Sequence, residues 1–137
     1  TGEMGPEFRR DWVARGAAFG DYDNDGDIDI LVQVLGGRPL LLENLQGNRN
    51  RWVGFRLQGT ESNRDAVGAA VKIVTEQGRE QHDYISRASS YLSSNDVRIT
   101  AGLGKESPAY VEITWPSGRV QRVAPLRVGE YAGIREE

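Results

Sequence analysis

The sequence predicts an all-β protein: a small antiparallel β-sandwich or barrel, preceded by an N-terminal β-hairpin that carries an acidic loop. Three observations lead there. Apolar residues alternate with polar ones in several short runs, with no sustained helical spacing. Turn signals rich in Gly, Pro and Asn punctuate these runs. The acidic stretch Asp21-Tyr-Asp-Asn-Asp-Gly-Asp-Ile-Asp29 lies between two strand-like segments.

In the first part, Gly16-Ala-Ala-Phe-Gly20 enters the acidic stretch as a short strand and Ile28 to Leu35, rich in β-branched residues, leaves it. Ile28, Ile30, Val32 and Val34 share one face while Leu31 and Leu35 occupy the other, which predicts a strand covered on both sides. Gly36-Gly-Arg-Pro39 turns the chain into a partner strand at Leu40 to Glu43. The polar segment Asn44 to Arg51 then predicts a boundary between a first unit, 1–46, and a second, 50–137.

Seven strands are predicted in the second unit. Val53, Phe55 and Leu57 form one inward set, and Val71 and Ile73 another. A turn at Glu76 to Arg79 leads to a strand from Glu80 to Ile85. Val97, Ile99 and Ala101 precede Gly102-Leu-Gly104-Lys105, which reads as a turn. Val111, Ile113 and Trp115 share a face of the strongest strand, Pro116-Ser-Gly118 folds it onto Arg119 to Val123, and Tyr131 to Ile134 is the last.

Composition narrows the function. At 137 residues the chain buries roughly two-thirds of its unfolded surface, so a metal is not needed merely to supply a core. No apolar run approaches the length of a membrane span, and no basic block exceeds Arg9-Arg10, which argues against membrane insertion and nucleic acid. The absence of Cys excludes disulfides and thiolate chemistry. The first residues have neither the charged nor the apolar region of a signal peptide, and a chain that starts without Met is expected to be a fragment of a longer protein.

Net charge is −3, but five of the twenty acids fall between Asp21 and Asp29 without a basic residue among them. Carboxylates about 5 Å apart at an effective dielectric near 20 repel by roughly 3 kcal/mol per pair. A cation relieves that repulsion. Asp21, Asp23, Asp25 and Asp29 occupy positions 1, 3, 5 and 9 of the loop, Asp27 offers its backbone carbonyl at position 7, and Gly26 permits the tight curl that brings them together. Such an oxygen-only set predicts Ca²⁺ and an N-terminal calcium-loop β-hairpin. Position 12 is Val32, where an EF-hand places a bidentate Glu, so the pattern is loop-then-strand.

Ala18 to Val32 resembles an FG-GAP repeat, the calcium-loop blade of integrin-type propellers. Trp52-Val53, Gly59 to Ala69, Ser90 to Asn95, Gly102 to Gly104 and Val111 to Gly118 resemble, in order and spacing, the ASPIC/UnbV domain. The resemblance implies a secreted, periplasmic or cell-surface protein that binds calcium and works in adhesion or scaffolding, with an extracellular protein or a glycan as partner. It implies no reaction. One such loop is fewer than a propeller requires, so the resemblance implies either the C-terminal part of a larger protein or a lone hairpin packed against the following β domain.

Catalytic signals are sparse. His82 is the only histidine and reads as a surface strand residue; Ser86, Ser89, Ser90, Ser93 and Ser94 have no Gly-x-Ser-x-Gly elbow and read as loop hydroxyls. Asn63-Arg64-Asp65 reads as a loop-shaping network, through an Arg64 to Asp65 pair or through the backbone, or as a corner for a carboxylate or sugar hydroxyl. Trp12, Trp52 and Trp115 are each candidates to stack on a ligand such as a sugar; Trp115 is expected in the core instead, and Trp52 reads either as a stacking residue or as cover over the junction between the two units. Two other readings stand beside a non-catalytic calcium module: a carbohydrate-binding accessory module, if exposed aromatics form a platform, and an enzyme domain, if shifted carboxylates converge elsewhere.

Overall fold

The computed structural model describes residues 5–46, 49–88 and 91–137. Thr1 to Met4, Gly47 and Asn48 of the expected boundary, and Ser89 and Ser90 of the serine-rich segment lie outside the described residues. After a 3₁₀ turn at Pro6–Arg9, three strands, β1 (Ala14–Gly20), β2 (Asp29–Val34) and β3 (Leu40–Leu42), form an antiparallel sheet in the order β1-β2-β3. The acidic stretch connects β1 to β2, and the two strands pair from Gly20↔Asp29 outward.

Seven strands follow, as the alternation predicts. β4 (Arg51–Gln58), β7 (Ile99–Gly104) and β10 (Tyr131–Arg135) make one sheet, in the order β10-β4-β7. The other, β6-β5-β8-β9, contains β5 (Ala70–Thr75), β6 (Glu80–Tyr84), β8 (Pro108–Thr114) and β9 (Val120–Val123). Val53, Phe55 and Leu57 of the first sheet and Val71, Ile73, Val111 and Ile113 of the second are buried in one apolar core, closed by Trp115. The result is a small β-sandwich.

Three local expectations need correction. β10 runs parallel to β4, with Tyr131 opposite Gly54 and Arg135 opposite Gln58, because the long connection after β9 carries the chain back to the start of the sheet. Gly102 to Gly104 is not a turn but the end of β7; Leu103 is buried, and Gly102 faces open space, where a missing side chain costs no packing. β2 is not covered on both sides, since Leu31 and Leu35 are 47% and 48% exposed.

The segment after β10 is locked by Glu136, which is only 4% exposed. Its Oε2 accepts from the backbone N–H groups of Thr60 (2.8 Å), Glu61 (2.9 Å) and Ser62 (2.7 Å), and its Oε1 from the hydroxyls of Ser62 (2.8 Å) and Ser117 (2.6 Å). Burial alone pushes this carboxyl up, but the Ser117 hydroxyl, the N–H groups of Ser62 and Thr60 and the Ser62 hydroxyl together hold it at about 2. A depressed carboxyl stabilises the folded state above its unfolded value and stops doing so as the pH falls through its folded value. Melting temperatures of the wild type and Glu136→Gln are therefore expected to differ by a constant gap above pH 4.5, with the wild type higher, and to converge toward pH 2.

Candidate metal centre

The acidic loop curls around its own first carboxylate. Asp21 Oδ1 accepts from the N–H of Asp25 (3.1 Å), and Oδ2 from that of Gly26 (2.9 Å). Asp29, at the start of β2, accepts from Tyr22 N–H through Oδ2 (2.9 Å) and from Asn44 N–H through Oδ1 (2.9 Å), which ties the loop exit to the end of the hairpin sheet. Asn24 (φ 64°) and Gly26 (φ 94°) adopt the left-handed conformations that the curl requires.

The consequence is a cluster. One carboxylate oxygen each from Asp21, Asp23 and Asp29 lies within 4.8 Å of the others; Asp21 and Asp29 are each only 2% exposed, whereas Asp23 opens to solvent. Oxygens on opposite sides of a shared Ca²⁺ are roughly 4.6–5.2 Å apart, given ligand distances of roughly 2.3–2.6 Å. The donor set therefore fits a hard divalent cation. The remaining predicted residues are not among these three: Asp25 accepts from Asp27 N–H (3.1 Å), and Asp27 is itself buried.

The sandwich grips this loop from below. Arg98, just before β7, donates to the Asp21 carbonyl (2.5 Å), to Asn24 Oδ1 (2.5 Å) and to Asp96 Oδ2 (2.6 Å), and its guanidinium lies 4.3 Å from the centre of the Tyr131 ring. Tyr131, at the start of β10, donates its hydroxyl to Asp21 Oδ2 (2.7 Å). Burial, with the Asp21 carboxylate as acceptor, raises this hydroxyl above its ordinary value and keeps it a donor. Trp52 packs against Gly26, where a Cβ would come within 1.9 Å of the indole, and against the Tyr131 ring at 5.2 Å. Gly54 makes room for Tyr131, because a Cβ there would lie 2.2 Å from its ring. Phe19 N–H donates to Asn95 Oδ1 (3.1 Å), and Asp96 N–H to the Phe19 carbonyl (3.0 Å), so β1 is fastened at the same place.

The part of the chain that supplies Arg98 and Tyr131 matches a known family: residues 59–137, more than half of the sequence, fit the description "ASPIC and UnbV". The chain belongs to the ASPIC and UnbV family. It is 30% identical over 108 residues to cartilage acidic protein 1 of Xenopus tropicalis and of Homo sapiens, and 28% identical to that of Mus musculus. These alignments cover 77% of the chain, which spans only about one-sixth of each relative's length. The acidic loop lies ahead of the ASPIC and UnbV match, so the cluster belongs to one segment and its clamp largely to the other.

Elsewhere in the ASPIC and UnbV portion, His82 is exposed on β6, 3.6 Å from Glu80. Asn63 shapes its loop by bonding Val67 in both directions, and the partner of Asp65 is Arg87 (2.6 Å), not Arg64. Trp115 is buried and donates to Gln121 (2.9 Å). Among the described residues, no helix is long and apolar enough to cross a membrane.

The clamp predicts an effect that does not depend on any metal. Tyr131→Phe removes the donor to a buried carboxylate and is expected to lower stability by about 1.5–3 kcal/mol in urea unfolding, while Thr100→Val, which removes only a neutral partner of the same hydroxyl, is expected to cost about 1 kcal/mol.

Proposed function

We propose that this chain is a calcium-binding, non-catalytic extracellular module for adhesion or scaffolding, part of a larger protein, in which Asp21, Asp23, Asp25, Asp27 and Asp29 hold one Ca²⁺ in an FG-GAP-like loop. The convergence of Asp21, Asp23 and Asp29 oxygens within 4.8 Å carries this reading. Calcium neutralises the clustered charge and fixes the loop beneath which Trp52, Arg98 and Tyr131 are packed, so the ion fastens the hairpin sheet to the sandwich.

Two further observations support the module reading. The hairpin sheet exposes Leu31 and Leu41, paired neighbours on one face, an apolar surface expected of a β-blade that packs on a neighbouring sheet. The similarity to cartilage acidic protein 1, of which the chain matches about one-sixth, supports an extracellular setting and a larger parent. The test is calorimetric titration with CaCl₂ and MgCl₂. The wild type is expected to bind one Ca²⁺, and Asp23→Ala or Asp29→Ala to abolish the binding heat; a wild type that takes up no Ca²⁺ would overturn the reading.

A further inference from the structure

A second charged site lies on the far side of the sandwich from its core, where the outer face of the β10-β4 pair meets the loop after β4. Arg56, Gln58, Arg64, Asp65, Gly133 and Arg135 surround a concavity of about 330 Å³ there, a size suited to a small ligand or one end of a larger one. Arg56 and Gln58 alternate with the buried Phe55 and Leu57, and Arg135 follows the buried Ile134, so all three point outward. In the parallel register, Arg56 lies opposite Gly133 and Gln58 opposite Arg135. The Arg56 and Arg135 backbones are therefore roughly 8 Å apart, given about 4.8 Å between strands and 3.3 Å per residue along them. Gly133, between them, leaves the floor open.

The charge at this concavity is uncompensated. Arg79, Arg87, Arg98, Arg119 and Arg122 each pair with a carboxylate, but among the described residues the side chains of Arg56, Arg64 and Arg135 have no acidic partner. The one acid at the rim, Asp65, is held by Arg87 at 2.6 Å. Three arginines lining one concavity supply planar guanidinium forks of the kind that recognise oxyanions bidentately. No aromatic ring lines the floor to stack a nucleic-acid base. The apolar residues there, Leu57 and Ile134, are buried and cannot enter a lipid surface.

We infer that the groove formed by Arg56, Arg64 and Arg135 is a binding site for a soluble polyanion of the sulfated-polysaccharide class, with the Gln58 amide available to sugar hydroxyls. This site is separate from the acidic loop and does not depend on calcium there.

The experiment is a calorimetric titration at low salt with dextran sulfate, unsubstituted dextran and inorganic polyphosphate. The wild type is expected to bind dextran sulfate and not dextran, despite its net charge of −3. Arg56→Gln, Arg64→Gln and Arg135→Gln, at exposed positions that leave the core intact, are each expected to weaken binding on the order of tenfold, and the triple variant to abolish it. Arg122→Gln, which removes an arginine already paired with Glu112, is expected to bind as the wild type does. Melting curves of each variant establish that the fold is retained. Absence of binding by the wild type, or undiminished binding by the folded triple variant, overturns the inference. Equal, Arg-dependent binding of polyphosphate overturns the sugar assignment.

Discussion

Gly26→Ala is expected to remove cation binding and to lower the stability of the whole chain, although it adds a single methyl group. Gly26 has φ 94°, and its Cβ would lie 1.9 Å from Trp52 Cε2 and 2.1 Å from Nε1. The backbone conformation alone costs an L-residue about 1–3 kcal/mol. Relief by moving Trp52 disturbs a buried indole that also contacts Tyr131, so the loop and its clamp are disrupted together. The expected result in chelator is a stability loss of at least about 2 kcal/mol by urea unfolding, and in calcium a larger loss, because the variant also forgoes the stabilisation that a bound ion contributes. Asp23→Ala is the contrasting case. Asp23 is exposed, so its removal is expected to abolish the calcium effect while leaving stability in chelator close to that of the wild type.

The second large effect is Trp115→Ala. Trp115 is 2% exposed and closes the end of the sandwich core, in contact with the cluster that contains Val111 and Ile113, and its ring N–H is held by Gln121. Truncation of a buried aromatic costs about 3–5 kcal/mol, which for a chain of this size lowers the melting temperature on the order of 10–20 °C. Trp115→Phe retains most of the apolar contact and is expected to lose less than half as much. Thermal unfolding followed by far-ultraviolet circular dichroism distinguishes the two. Because Trp115 lies in the sandwich and not at the loop, a calcium-induced rise in melting temperature is expected to survive in Trp115→Phe.

These two sites differ in how legible they are from sequence. Val111, Ile113 and Trp115 alternate in phase, which is enough to place Trp115 in a core. The acidic loop is equally plain, since the spacing of Asp21 to Asp29 around Gly26 encodes the curl that the structure contains. Its clamp is not encoded locally. Arg98 and Tyr131 reach Asp21 across 77 and 110 residues, and only the pairing of β4 with β7 and β10 brings them there. Of the clamp, only Trp52 is foreshadowed locally, where cover of the junction is one of its two readings beside ligand stacking.

Direction and cover are the other losses. Alternation identifies Tyr131 to Ile134 as a strand but says nothing about whether it runs parallel or antiparallel to its neighbour. Glycines at 102 and 104 read as a turn because the pattern cannot distinguish a bend from an exposed strand position without a side chain. Leu31 and Leu35 read as covered because an apolar residue opposite an apolar face implies a second layer, and the described residues supply none over them. Nothing in the sequence marks Glu136, because its cradle is assembled from Thr60, Ser62 and Ser117, more than fifty residues apart in sequence at the extremes.

The most direct test of the central claim is the melting temperature of the wild-type chain in calcium, in magnesium and in chelator, with Asp23→Ala measured beside it. A calcium-dependent rise that magnesium reproduces weakly or not at all, and that disappears in Asp23→Ala, is the predicted result, because an ion bound to the folded loop and not to the unfolded chain must raise stability. Identical melting curves for the wild type in all three conditions would contradict the account.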